Sequence, residues 1–416
     1  MKKKIFVRGP VLSQSGYGEQ SRFALRALRS RPDLFDIFIQ TTTWGQTGWL
    51  WENNEFRQWM DERILLTQVL IHKKQFNPDV SLQITIPNEF QKFAPINIGY
   101  TAGIETTKVS PEWINKTNEI DKVLVVSNHA KNTFVNTTYQ ARADNPETGP
   151  DFTLKTNVEI EVVGENTVRN KPEEIPGFDL KTDFNFLIVS QMGPRKNFHN
   201  SIAWWVEEFI DQKVGLVIKT NLRNNSKMDL EATQNTLKDI LSKYPDRKCK
   251  IYLLHGDLTS GQMTGLYTNP KIKAIINIAH GEGFGLPLFE AAREGLPVVT
   301  IGWSGQQDFL CHEGKNYFEE VEFTLQPVQN EAVWEGVVQA DSMWAYADQG
   351  SYKMALRKIR KKWKTVKKTA EKLKITIDNK FSDEILFEGF CNAVYGDNIN
   401  VDDWLNHLEE GIVEQE

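Results

Sequence analysis

The 416-residue sequence predicts an α/β fold of two parallel-sheet domains followed by a helical tail. Three observations carry that prediction. Short apolar runs alternate with amphipathic stretches in two successive series, the pattern of strand–helix–strand units. A polar stretch at 165–182 with two prolines separates the series, as a linker between domains does. The length is too great for one ordinary compact domain.

In the first series Lys4–Val7 reads as a strand, followed by a glycine-bearing loop and a helix near Gly18–Leu28. Phe35–Ile39, Val80–Ile84, Ile96–Tyr100 and Val123–Val126 are further strands, and Glu159–Val163 closes the sheet. Residues 141–150 read as a surface loop by their turn chemistry. In the second series the strands are Phe184–Val189, Gly215–Ile218, Lys250–Leu254, Ala274–Ile278 and Pro297–Ile301. Helices are expected between them at 197–211, 228–243, 260–268 and 286–294.

The tail is helical. Leu356, Ile359, Trp363, Val366, Ala370 and Leu373 recur at steps of three and four, one apolar stripe on a helix otherwise dense in Lys and Arg over 353–374. A second amphipathic helix is expected at 383–396, and 402–416 ends acidic. The expected domains are therefore 1–170, 183–380, and a terminal segment 381–416. No repeat of solenoid period is present.

Composition narrows the function classes. Hydrophobic residues at 40% and charged residues at 25% describe a globular chain, and the net charge of −6 excludes a protein that is basic overall. Cys249, Cys311 and Cys391 are odd in number and lack close spacing, which speaks against a disulfide framework or thiolate metal site. The apolar run Ile5-Phe6-Val7 is too short for a signal-peptide core, and no stretch is suited to span a bilayer. A soluble, cytoplasmic protein is expected.

The strongest chemical signal is Gly281-Glu282-Gly283-Phe284-Gly285-Leu286-Pro287-Leu288-Phe289-Glu290-Ala291, at a strand-to-helix turn. Glycines there let the backbone approach a ligand, and the helix N-terminus offers free amides to a phosphate. Pro287 suits a first helical turn. Glu282 in the loop and Glu290 one turn into the helix are expected to face one crevice. A carboxylate accepts two hydrogen bonds from vicinal hydroxyls, so the pair suits a sugar on one side and a ribose on the other. Arg195 and Lys196, in the turn after Phe184–Val189, suit a pyrophosphate, because fixed cations stabilise a leaving group that accumulates charge.

This constellation resembles the retaining GT-B glycosyltransferases with the Glu-x7-Glu motif (glycosyltransferase family 4-like, glycosyl transferases group 1). Val189-Ser-Gln-Met-Gly-Pro-Arg-Lys-Asn197 resembles the family's first C-domain turn, and Glu294-Gly-Leu-Pro-Val-Val299 the strand entry after the motif. Glu105-Thr-Thr, Val126-Ser-Asn-His129 and Gly16-Tyr-Gly18 resemble features of its N-domain. The resemblance spans roughly residues 5 to 310. It implies two Rossmann-like domains with a cleft between them, the donor in the second domain and the acceptor on the first, a hinge near 165–182, and a terminal helix after 382 that returns to the N-domain.

What it implies for the site is a division of labour. Glu282, Arg195 and Lys196 are expected at the chemistry. Glu290, Gly283, Phe284, Gly285, Leu286, Gly16, Gly18, Lys219 and His255 are expected on the donor, with Leu254-His255-Gly256 beside the nucleobase. Glu105 is expected on the acceptor side. Each has a structural alternative: Glu282 and Glu290 as a capped, solvated helix start, Arg195 and Lys196 as solvated charges, Gly16 and Gly18 as turn glycines, Glu105 as a helix cap. His280 reads as a satisfied core histidine. One departure concerns the acceptor, since no His occurs between Ile96 and Thr107, where several related enzymes carry one.

No Asp-x-Asp cluster follows a strand, and Asp402-Asp403 reads as a solvated pair, so neither metal nor cofactor is expected. For retaining members the leaving phosphate oxygen is thought to deprotonate the acceptor on the same face. The expected activity is metal-independent transfer of a sugar (hexosyl or pentosyl) from a nucleotide-sugar to an unidentified acceptor such as a glycan or a lipid-linked sugar. Two alternatives stay open. One is a phage-type enzyme glycosylating modified bases in DNA, with the basic helix and Trp44-Gly-Gln-Thr-Gly-Trp-Leu-Trp51 contacting it. The other is a non-catalytic nucleotide-sugar-binding protein. The basic helix itself reads as a solvated face, an anionic-membrane contact or a DNA contact.

Overall fold

A computed structural model describes residues 2–141 and 152–396. Residues 142–150 of the expected surface loop and the acidic end 402–416 lie outside the described residues.

The first domain is a six-stranded parallel sheet. Its elements run β1 (Lys3–Gly9), α1 (Gly16–Arg29), β2 (Phe35–Thr41), α2 (Glu55–His72), β3 (Val80–Ile84), β4 (Ile96–Thr101), α3 (Pro111–Asn118), β5 (Lys122–Val125), α4 (Asn128–Asn136), a hairpin of β6 (Thr138–Ala141) and β7 (Phe152–Lys155), and β8 (Glu159–Val162). The order across the sheet is β2-β1-β3-β4-β5-β8. Ile5, Val7, Val80, Leu82 and Ile84 are almost fully buried, as strands covered on both faces require. Ser15 caps α1 by accepting from the Gly18 amide at 3.0 Å, worth about 1 kcal/mol. Glu19 in its first turn and Arg26 and Arg29 in its last complement the helix dipole.

The second domain repeats the plan. It comprises β9 (Asn185–Val189), α5 (Phe198–Phe209), β10 (Gly215–Lys219), α6 (Lys227–Leu241), β11 (Lys250–Leu254), α7 (Ser260–Thr268), β12 (Ile272–Asn277), α8 (Leu286–Arg293), β13 (Val298–Ile301) and α9 (Gln307–Leu310). Short β14 (Cys311–His312) and β15 (Lys315–Asn316) precede the edge strand β16 (Glu319–Val321) and an antiparallel hairpin of β17 (Phe323–Pro327) and β18 (Met343–Ala347). The order is β11-β10-β9-β12-β13-β16, so the chain reverses direction across the sheet between β9 and β12. The crevice outside the carboxyl ends of those two strands is where open parallel sheets bind ligands.

Two helices finish the chain. The first, α10 (Gln349–Lys380), buries Leu356, Ile359, Val366, Ala370 and Leu373 and bends at Lys362, which leaves helical geometry at φ −120°, ψ 28°. The second, α11 (Asp383–Tyr395), lies on the first domain, where Phe390 meets Phe23 edge-on at 5.5 Å and the Cys391 thiol reaches the Ala27 carbonyl at 3.1 Å. No described helix is long and apolar enough to cross a membrane.

The polar stretch joining the sheets is packed rather than loose. Glu165, Asn166 and Thr167 are buried. The Asn166 carbonyl accepts from Arg26 at 3.0 Å, the Thr167 carbonyl accepts from Arg293 at 2.5 Å, and the Asn166 amide donates to Asp383 at 2.8 Å. The backbone at 166–167 is thus hydrogen-bonded to both domains despite the polar sequence.

Candidate active site

The turn between β12 and α8 is built by backbone geometry. Gly285 adopts φ 94° as it opens α8, a conformation only glycine takes without strain. The Glu282 amide donates to Ser304 Oγ at 2.9 Å, and the Glu282 carbonyl accepts from the Gly305 amide at 2.9 Å. Ser304 itself stands at φ 75°, unusual for a residue with a side chain. This clamp presents the Glu282 carboxylate to the β9 turn across the point of reversal.

There Glu282 is 5% exposed and fully engaged. Its oxygens accept from Lys196 Nζ at 2.5 and 2.7 Å, from Arg195 Nη1 at 3.0 Å and from Asn277 Nδ2 at 2.8 Å. Burial by itself raises a carboxyl pKa; the Lys196 and Arg195 charges and the hydrogen bonds outweigh it and hold Glu282 down to about 2. For Lys196 burial is the largest influence and lowers its pKa, helped by the Arg195 charge. Arg195 also donates to the Gly281 carbonyl at 2.7 Å and pairs with Glu105 of the other domain at 3.2 Å. Three expected chemical residues and Glu105 thus form one cluster, with two carboxylates facing two cations.

A second cluster lines the interdomain cleft, a cavity of about 1080 Å³. Glu290, Leu286, Lys219 and Gly16 all border it. Glu290 accepts from the Tyr267 hydroxyl at 2.9 Å, and burial raises its pKa. Lys219, at the carboxyl end of β10, is lowered by burial, with Asp257 pulling the other way. Gly16 has open space where a side chain would stand. Between the clusters, Gly283 passes close to the first domain: its carbonyl accepts from Ser127 Oγ at 2.7 Å, and an added Cβ would come within 2.8 Å of the Ala102 oxygen.

Three residues expected on the donor make intramolecular contacts of their own. The Phe284 side chain turns into the core, 5.1 Å from the Phe309 ring and 5.4 Å from Phe289, because the positions around it supply an aromatic pocket. Gly18 is a packing glycine, since a Cβ there would stand 2.0 Å from the Ser13 oxygen. His255 does not border the cleft; its Nε2 lies 2.8 Å from Asp229 Oδ1, and Asp229 in turn accepts from the amides of Leu222, Arg223 and Asn224. Through Asp229 that ring is tied to the loop at Leu222–Asn224.

Sequence reasoning missed Ser304 and Tyr267, and placed Asn128 and His129 only by resemblance. Ser304 and Tyr267 have no motif of their own. Asn128 donates to Asp308 at 2.8 and 3.1 Å across the domain boundary, and the His129 ring meets Trp303 edge-on at 4.8 Å. Among the described residues, no group of three or more His, Cys, Asp or Glu is gathered as metal ligands would be.

The sequence matches no protein-family model and no curated protein. Its structure is similar to solved glycosyltransferases across nearly the whole chain. Sucrose-phosphate synthase from Thermosynechococcus elongatus superimposes with a TM-score of 0.61 at 12% identity, covering 95% of this chain and all (100%) of the other. A glycosyltransferase from Rickettsia africae gives 0.56 at 13% identity, covering 95% and 98%. The Anabaena protein HepE, in complex with UDP and glucose, gives 0.52 at 13% identity, covering 94% and 98%. The chain therefore has the GT-B fold, two Rossmann-like domains about a cleft.

Proposed function

We propose that the chain is a glycosyltransferase that takes a sugar from a nucleotide-sugar donor. The observation that carries this reading is the placement of Arg195, Lys196 and Glu282 at the reversal point of the second sheet, with Glu290 in the adjoining cleft. GT-B neighbours, one of them solved with UDP and glucose, support it.

In this reading the donor nucleoside lies in the cleft with its ribose hydroxyls on Glu290, and the diphosphate lies against Arg195 and Lys196. The bond from the anomeric carbon to the phosphate oxygen breaks, its electron pair leaving with the diphosphate, where the two cations offset the new charge. The acceptor oxygen bonds the same face of that carbon, and its proton passes to the leaving phosphate oxygen. Configuration is retained, and neither a protein nucleophile nor a divalent ion takes part.

Thermal unfolding against UDP, GDP, ADP, TDP and CMP, each with EDTA and with Mg²⁺, tests this. A ligand at 100 times its dissociation constant adds about 2.7 kcal/mol of stability. One nucleotide raising the midpoint in EDTA, but not in Glu290→Ala, is expected. No shift from any of them moves the non-catalytic reading to first place.

A second reading, transfer to modified bases in DNA, is favoured by one observation. Lys361, Lys364, Lys368 and Lys372 form an exposed stripe on α10, without ion-pair partners among the described residues. By contrast Lys353, Arg357 and Lys358 are paired at 2.6 Å with Glu207, Glu208 and Glu319. An anionic membrane would meet the same stripe.

A further inference from the structure

The β17–β18 hairpin and the chain between its strands leave the second domain and end on the first. Strand pairing from Phe323↔Ala347 to Pro327↔Met343 makes the hairpin a stiff ladder. At its far end the Thr107 amide donates to the Met343 carbonyl at 2.9 Å, and the Met343 amide donates back to Thr107 Oγ1 at 2.9 Å. Lys108 pairs with Asp341 at 2.6 Å, and Ser110 Oγ donates to the Gly336 carbonyl at 2.7 Å. Val337, 4% exposed, joins the apolar cluster of Val109, Trp113 and Ile114 in the first domain. A contact with three hydrogen bonds, an ion pair and a buried valine is a docked surface, not a passing touch.

The middle of β18, Trp344 to Tyr346, is seated on His280, two residues before Glu282. The imidazole stacks on Trp344 at 4.7 Å with the planes 14° apart, and Tyr346 lies 4.6 Å away on β18. Its Nδ1 lies 2.6 Å from the Ala345 carbonyl, so Nδ1 carries the proton and donates it. The Ala345 amide donates to the His280 carbonyl at 3.0 Å, and the His280 amide donates to the Arg195 carbonyl at 2.8 Å. A closed circuit results: Arg195 to His280, His280 to β18, β18 to Thr107, and from Glu105, two residues before Thr107, back to the Arg195 guanidinium at 3.2 Å.

We infer that Phe323–Ala347 is a brace that sets the separation of the two domains at the Glu105–Arg195 pair, and that His280 is the positioning residue through which it is seated. The brace spans the domain boundary on the Glu105 side, whereas the cleft that holds Glu290 opens along α1. Closure about the linker is thereby restricted to motions that leave Glu105 on Arg195. His280 touches Arg195 only through the backbone, so its action is on geometry.

Hydrogen exchange of individual amides in the full chain, without ligand, tests the brace. Exchange needs no donor, so failure here leaves the nucleotide experiment untouched. His280→Phe keeps a flat ring against Trp344 but cannot donate to Ala345. It is expected to speed exchange of the Thr107 amide, in the other domain, by about fivefold to tenfold, the worth of roughly one hydrogen bond. His280→Asn restores a donor near the Nδ1 position and is expected to return Thr107 towards the wild-type rate. If His280→Phe speeds exchange only around 278–285 and 343–347, the brace does not transmit and the inference is overturned. Should His280→Phe fail to unfold cooperatively, Thr107→Val carries the test in reverse. Faster exchange at Ala345 then supports the brace, and an unchanged Ala345 refutes it.

Discussion

Arg195 is shared by carboxylates of two domains: its guanidinium lies 3.0 Å from Glu282 in its own domain and 3.2 Å from Glu105 across the boundary. With Lys196 also on Glu282, two cations meet two carboxylates in a buried cluster. In the proposed reading, an incoming diphosphate would compete with carboxylates already in place. In that reading, displacement of Glu282 from the cations would free it for the hydroxyls of a sugar.

Glu282→Gln follows from that competition. Removing one partner of a buried ion pair leaves the other charge uncompensated and costs about 3 kcal/mol or more. The variant is expected to unfold at a lower temperature than the wild type. A nucleoside diphosphate that binds the wild type should raise the variant's midpoint by a larger increment, because Arg195 and Lys196 no longer have to exchange partners. Equal increments in calorimetry would mean the anion does not meet these cations.

Legibility in the sequence divided along physical lines. Strands such as Asn185–Val189 and Gly215–Lys219 were readable because strands buried on both faces carry unbroken apolar runs, here Phe186-Leu187-Ile188-Val189 and Leu216-Val217-Ile218. That Glu282, Arg195 and Lys196 would lie near one another was legible because both turns follow strands of the second series, at the carboxyl ends where open parallel sheets gather polar groups. Helix α2 was not, since it exposes Leu65, Leu66 and Val69 while burying Met60 and Thr67, so its apolar residues mark no single face. Phe284 misled because motif position says nothing of side-chain direction. The brace gave no sign of its partner, because Thr107 lies 236 residues from Met343 along the chain.

The lysine stripe gives a prediction that separates polyanion contact from bulk solvation. Lys361, Lys364, Lys368 and Lys372 changed together to Glu should leave the unfolding midpoint nearly unchanged, because exposed charges of this kind contribute little to stability. Retention on duplex DNA at low salt, weakening steeply as salt rises, is expected of the wild type only if the DNA reading holds. Lack of retention by the wild type at low salt would remove that reading, and binding to vesicles of anionic phospholipid under the same conditions would assign the stripe to a membrane surface.

His129 couples pH to the domain boundary. Its ring packs against Trp303 of the other domain, and burial presses its pKa from 6.5 to about 4, only partly opposed by a hydrogen bond with Ile104. The unfolded chain therefore binds a proton that the folded chain refuses between those two values. Stability is complete above pH 6.5 and declines by about 3 kcal/mol as pH falls to 4. Denaturant midpoints followed from pH 7 to pH 4 should fall in the wild type and fall less in His129→Phe. Parallel slopes would mean that His129 titrates without cost.

Glu165 predicts the opposite slope at the alkaline end. It sits at the start of the linker, 4% exposed, with Oε2 lacking a hydrogen-bond partner. Burial, and then the Glu19 charge, raise its pKa from 4.5 to about 8, against a smaller pull from Arg26. The folded chain keeps this proton while the unfolded chain releases it above pH 4.5. Stability from the neutral carboxyl is therefore present below pH 4.5 and drains away as pH rises through 8, by on the order of 5 kcal/mol. Glu165→Gln holds the uncharged shape at every pH. It should match the wild type near pH 5 and exceed it progressively towards pH 9 in thermal unfolding. A constant difference between the two across that range would show that the carboxyl ionises freely, and that 165–167 opens to water more readily than its hydrogen bonds to Arg26, Arg293 and Asp383 imply.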